Sequence, residues 1–168
     1  NLERFGFGSL STKTNQLNTY SNSNFRDLIS IRAVTCATDF RQELWVGSAY
    51  EPSINVFQKT NNNIKFLRKI DLTQHTDHRG IPSFFFTDKE KRLWIATTQG
   101  LLLKKSESEN ITIIPQIKDQ PVAIAQGNQN HIWIATKENG IYCIDTHNFQ
   151  SILAHIGKET PGLKSDQI

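Results

Sequence analysis

The chain holds three tryptophans, Trp45, Trp94 and Trp133, and each occupies the same place in a recurring phrase. The phrases are Leu44-Trp45-Val46-Gly47-Ser48, Leu93-Trp94-Ile95-Ala96-Thr97 and Ile132-Trp133-Ile134-Ala135-Thr136. Aliphatic, Trp, β-branched aliphatic, tiny, hydroxyl: three copies of so specific an order mark a repeat protein. A repeat period of roughly 40 residues narrows the architecture to stacked β-blades or helical arrays.

Aligning the chain on its tryptophans separates these two. Upstream of each lies a short apolar run, Val34-Thr35-Cys36-Ala37-Thr38, Ser83-Phe84-Phe85-Phe86-Thr87 and Val122-Ala123-Ile124-Ala125, which reads as a first strand buried on both faces. A polar turn follows, at residues 39–43, 88–92 and 127–131, and then the Trp strand. The next turn ends on Gly100 and on Gly140 in two copies, as short hairpin loops needing positive φ do. In the first copy it is longer and holds Tyr50, Glu51 and Pro52. Third strands read at Ile54–Phe57, Leu101–Leu103 and Ile141–Ile144, and weaker, alternating fourth strands at Ile64–Leu67, Ile111–Ile114 and Phe149–Leu153. Four antiparallel strands in each repeat of about 40 residues make a propeller blade. Hairpin glycines and β-branched runs exclude the helical array.

The expected fold is therefore all-β: an incomplete β-propeller of about three full four-stranded blades with partial blades at both ends. Residues 1–28 read as the end of a leading blade, with Leu2–Phe5 a third strand and Leu17–Tyr20 a fourth. Residues 29–79, 80–119 and 120–161 read as full blades. Residues 162–168 read as the start of another, because Gly162-Leu163-Lys164-Ser165 repeats Gly80-Ile81-Pro82-Ser83. In such a stack the tiny residue of each phrase (Gly47, Ala96, Ala135) admits a neighbouring blade. Each Trp fills the gap between blades, contributing roughly 3–5 kcal/mol. Open apolar faces at the two ends are expected to be covered by remaining blades or by a second copy.

Composition removes several functions. The net charge is +3 with no basic block, which argues against nucleic acid as a partner. No apolar run approaches membrane-spanning length, so no membrane contact is expected of this segment. The chain has no methionine and no signal-peptide pattern at its start, and is expected to be a processed product or a piece of a longer protein. Cys36 and Cys143 lie in separate apolar strands and read as buried free thiols.

The repeats resemble the two-component-regulator propeller repeat. The likeness rests on Leu93-Trp94-Ile95-Ala96-Thr97 with Gly100-Leu101, on Ile132-Trp133-Ile134-Ala135-Thr136 with Gly140-Ile141-Tyr142, and on the Gly-Ile-Pro-Ser link at Gly80. The chain departs from that pattern where the turn glycine before the Trp strand is replaced by Gln42, Lys91 and Asn130. The resemblance implies the periplasmic, non-catalytic input region of a hybrid two-component sensor histidine kinase anchored in an inner membrane. It also implies an oligosaccharide from glycan breakdown as the ligand, and no cofactor.

Two sets of residues stand out as ligand contacts. Tyr50 and Glu51 place an aromatic beside a carboxylate in the long hairpin, a pairing suited to sugar. In Gln74-His75-Thr76-Asp77-His78-Arg79-Gly80, an inter-blade linker, His78 and Arg79 are candidates because such linkers carry propeller binding surfaces. No metal-ligand spacing and no catalytic constellation is present in the sequence. An enzyme of the streptogramin-lyase type, which would need a catalytic His supported by an acid, is the competing reading. A pure protein-interaction scaffold is the third.

Overall fold

The computed structural model describes residues 6–10, 17–21, 33–60, 64–76, 79–108, 110–128, 130–149 and 151–161. A two-stranded antiparallel hairpin, β1 (Gly6–Leu10) and β2 (Leu17–Ser21), comes first. Three four-stranded antiparallel sheets follow in chain order. The first blade is β3 (Ala33–Thr38), β4 (Glu43–Ser48), β5 (Ser53–Lys59) and β6 (Ile64–Asp71). After the short helix α1 (Leu72–Thr76) comes the second, β7 (Pro82–Thr87), β8 (Leu93–Thr97), β9 (Gly100–Lys104) and β10 (Ile111–Ile114). The third is β11 (Pro121–Gln126), β12 (His131–Thr136), β13 (Ile141–Asp145) and β14 (Ile152–Ile156). The molecule is all-β, with about three propeller blades.

Each blade buries one apolar face against the next. Trp45, Ile54, Val56, Ile70 and Leu72 of the first blade share one cluster with Leu93, Ile95, Leu102 and Ile111 of the second. Trp94, Ala96, Leu101, Leu103, Ile114 and Ile117 of the second share another with Ile132, Ile134 and Ile144 of the third. Trp45 and Trp94 are fully buried, whereas Trp133, on the third blade's far face, is only half-buried. Between the first two blades the inner strands touch directly. A Cβ placed on Gly47 would lie 2.8 Å from Pro82 Cβ and 2.9 Å from Thr35 Cγ2. The Phe85 N–H donates to Thr35 Oγ1 at 3.1 Å, and the Thr87 hydroxyl to the Thr38 carbonyl at 3.2 Å.

The phrase also builds its own turns. Thr97 and Thr136, at its hydroxyl position, each donate through Oγ1 to the carbonyl of Gly100 or Gly140 at 2.9 Å. Their oxygens in turn accept the N–H of Gln99 and of Asn139, both at 3.2 Å. At the opposite end, Asp39 and Asp88 close the turn before the Trp strand. Asp39 Oδ1 accepts the N–H of Arg41 and of Glu43, and Asp88 Oδ1 that of Glu90 and of Arg92. Each turn needs one residue at positive φ, and the residues there are Gln42 (60°), Lys91 (60°) and Asn130 (64°).

Several local expectations change. The strand pairing with β2 is Gly6–Leu10, while Leu2–Phe5 and Gly162–Ser165 lie outside the described residues. The fourth strand of the third blade starts at Ile152, because the Ser151 N–H donates to the Asn148 carbonyl at 2.9 Å and Phe149 packs edge-on to Trp94, centroids 5.8 Å apart; Gln150 lies outside the described residues. The first strands of the first and third blades are not covered on both faces, whereas no residue of β7 is exposed. In β3 every second residue (Val34, Cys36, Thr38) is exposed, since only its alternate side meets the second blade. Cys36 is thus exposed and Cys143 buried. A register shift recurs in every first strand, at Val34, Ser83 and Val122, which no local signal in the sequence announced.

Two outcomes follow for stability. Gln42→Gly and Lys91→Gly relieve a left-handed backbone and should each stabilise by about 0.5–1 kcal/mol, with Asn130→Gly near zero because Asn tolerates that region. Urea midpoints at unchanged m-value measure this, and a loss of stability in the first two would contradict it. Gly47→Val should cost about 1–3 kcal/mol by overpacking the Pro82 contact. A melting temperature equal to wild type would show that the first two blades do not approach as closely as described.

Candidate functional site

The blade topology sorts the loops into two ends. Turns between second and third strands lie at one end, together with the linkers from each blade to the next. Hydrogen bonds tie the two kinds of loop together. Thr98 N–H donates to the Ile81 carbonyl at 2.9 Å and Ile81 N–H to Thr98 Oγ1 at 3.0 Å. Lys137 N–H donates to the Gln120 carbonyl at 2.9 Å, and Leu72 N–H to that of Pro52 at 2.8 Å. This rim is where a ligand would meet two blades at once.

Tyr50, Glu51 and Arg79 all fall on it. Tyr50 presents its ring to solvent at 58% exposure. Glu51 is already engaged: Oε2 pairs with Lys69 Nζ at 2.5 Å and accepts the Ser53 hydroxyl at 3.3 Å. That fixes the long hairpin against β6 and leaves Tyr50 as the projecting group. Arg79 is exposed, and His78 lies outside the described residues. The linker that carries them starts from a rigid point. Asp71 Oδ1 accepts both Oγ1–H (2.6 Å) and N–H (2.9 Å) of Thr73. The Thr73 hydroxyl, then its amide, holds the Asp71 carboxyl below the ordinary carboxylate range.

The third blade shows a second aromatic on this rim that the sequence did not single out. His155 stacks on Tyr142 at 4.3 Å between centroids and 18° between planes. Its Nε2 lies 2.7 Å from the Asn139 carbonyl, so Nε2 carries the proton there. Asp119 clamps the same corner: Oδ1 accepts Gln120 N–H at 2.7 Å and Oδ2 accepts Glu138 N–H at 2.6 Å. Burial would raise the Asp119 pKa, but the Glu138 and Gln120 amides, aided by Asn139 and Thr136, outweigh it and hold it below the ordinary value. Among the described residues no three His, Cys, Asp or Glu side chains gather as metal ligands would. None of the described helices is long and apolar enough to cross a membrane.

No family model and no curated protein sequence matches the chain. Solved structures do share its fold. The extracellular domain of a protein assigned as a hybrid two-component system of B. thetaiotaomicron superposes over 97% of this chain, with a TM-score of 0.70 at 22% identity. PorZ, a surface component of the type-IX secretion system of Porphyromonas gingivalis, covers 98% at a TM-score of 0.69 and 15% identity. Virginiamycin B lyase of Staphylococcus aureus covers 92% at a TM-score of 0.64 and 19% identity. The chain spans 20% of the first, 26% of the second and 49% of the third.

The Asp119 clamp makes a pH prediction. A carboxyl whose folded pKa lies below its unfolded value stabilises above about pH 4 and loses that contribution as pH falls through the folded pKa. Asp119→Asn should therefore cost about 0.5–1 kcal/mol at pH 7, a figure reduced for the group's partial exposure. Wild type and variant should converge in melting temperature below about pH 3. A difference that does not shrink in acid would mean that the charge of Asp119 is not what holds the turn.

Proposed function

We propose that this chain is part of the extracytoplasmic, non-catalytic input region of a hybrid two-component sensor histidine kinase, and that its rim binds an oligosaccharide in the periplasm. The observation that carries the reading is the superposition of 97% of the chain on the extracellular domain of such a system. The Trp phrases and the Gly-Ile-Pro-Ser link, which resemble the repeat of that sensor family, support it from the sequence side. Tyr50 is the stacking platform, the Glu51–Lys69 pair its support, and His78 and Arg79 are the polar contacts from the adjoining linker. A further blade of the same repeat seats on the third blade's far face, where half-buried Trp133 stands in the place that buries Trp45 and Trp94 completely.

The streptogramin-lyase reading has the lyase superposition in its favour. It requires a histidine backed by an acid. Two of the described rings are otherwise engaged, His155 with Asn139 and Tyr142, and His147 with the Asn130 amide at 2.7 Å.

Calorimetry against a panel of plant and host-glycan oligosaccharides tests the proposal. One member of the panel should bind. Tyr50→Ala and Arg79→Ala should weaken it roughly tenfold or more with melting temperature unchanged, as loss of a stacking or charged contact does. Binding that is indifferent to both substitutions moves the site off this rim. Turnover of a streptogramin abolished by His78→Ala would replace the sensor by the lyase.

A further inference from the structure

The turn carboxylate of each blade has a different fate, and the differences lie within one repeated frame. In the second blade Asp88 Oδ2 accepts the indole N–H of Trp94 at 2.8 Å and Arg92 Nε at 2.6 Å. Arg92 reaches on to the Thr146 carbonyl of the third blade at 3.2 Å. In the third blade the position is Gly127, and a Cβ there would lie 2.9 Å from Trp133 Nε1, so the indole occupies the space of the missing side chain. In the first blade the spacing from Asp39 to Trp45 is that from Asp88 to Trp94, and the Oδ1 bonds to the turn are the same. Yet Asp39 Oδ2 and Trp45 Nε1 are both buried and neither makes a hydrogen bond.

The cause stands on the next blade. Lys104 of β9 faces the first blade beside Leu102, at a position filled by Phe57 in β5 and Ile144 in β13. Its side chain and that of Asp39 are each 1% exposed, with Nζ 3.2 Å from Asp39 Oδ2. The ammonium also sits over the rings of Phe40 at 5.2 Å and Trp45 at 5.4 Å. A lysine replaces an apolar side chain here, and it takes the carboxylate that its own blade's tryptophan would otherwise hold.

We infer that Asp39 is a two-partner carboxylate and Lys104 a latch between the first and second blades. With the second blade seated, Lys104 holds Asp39 off Trp45. Without the Lys104 ammonium, Asp39 Oδ2 turns to the Trp45 indole N–H as Asp88 Oδ2 does to that of Trp94, so the buried carboxylate keeps a partner in either arrangement. At the second joint the carboxylate is satisfied within its own blade by Trp94 and Arg92, so of the two described joints only the first has this alternative.

The indole N–H resonances of the ¹⁵N-labelled chain report it. In wild type, Trp94 should show the downfield indole proton of a carboxylate-bonded N–H and Trp45 should not. In Lys104→Met, Trp45 should move downfield towards Trp94, its indole exchange slowing roughly fivefold to tenfold as one hydrogen bond is gained, with Trp94 unmoved. A Trp45 proton already at the Trp94 position in wild type overturns the latch, as does a folded Lys104→Met in which Trp45 does not shift. Should that variant not fold, the wild-type comparison of the two indoles decides by itself.

Discussion

The tryptophan of one blade is buried by the blade that follows it, and the rest of the structure depends on that arrangement. A four-stranded sheet of about 40 residues is too small to hide both of its faces. Trp45 and Trp94 reach full burial only because Leu93, Ile95 and Leu102, then Ile132, Ile134 and Ile144, close over their clusters. Stability is thus shared between neighbours, as in other repeat architectures, and no blade is a folding unit by itself. Trp133, with the same phrase around it but no described blade beyond it, remains half-buried.

That dependence explains which residues the repeat holds fixed and which it lets vary. The tiny position is set by the approach of the next inner strand, seen where Pro82 lies against Gly47. The hydroxyl position closes the turn through Gly100 or Gly140. The turn carboxylate caps the first hairpin in two blades and is dispensed with in the third, where Gly127 stands. The loops of the rim carry no such duty. Tyr50 and Arg79 project there, and Tyr142, while packing against the core, carries the exposed ring of His155 there, which is the reason to look for ligand contacts among them.

The sequence carried the architecture because the blade phrase is local: five residues name the strand, its buried face and the turn after it. Strands set by pairing were also legible, but their ends were not. β14 starts later than its apolar residues suggest because Phe149 packs edge-on to Trp94 and Ser151 bonds back to Asn148, tertiary and local contacts with no signature in the sequence. Cys36 turned outward for a similar reason, since its apolar run shows alternation only once one side has a partner. The register shifts at Val34, Ser83 and Val122 are likewise properties of the pairing. On the rim, Tyr50 was visible from the unusual length of its hairpin, while His155 was not, because its partner Tyr142 lies on another strand.

The buried cations show where a repeat can diverge without losing its fold. Lys104 and Arg92 both neutralise a turn carboxylate at a blade joint, but Lys104 does so from the following blade and Arg92 from the same one. An intrablade pair is indifferent to whether the neighbour is present, whereas an interblade pair exists only when it is. A buried pair of this second kind adds little net stability over an apolar contact and much more to the cost of a wrong arrangement. The Lys104–Asp39 pair is such an interblade pair, with both side chains 1% exposed and Nζ 3.2 Å from Oδ2. Lys104 thus ties the first blade to the second at the same joint where Pro82 approaches Gly47, so polar and steric demands fall on one seam.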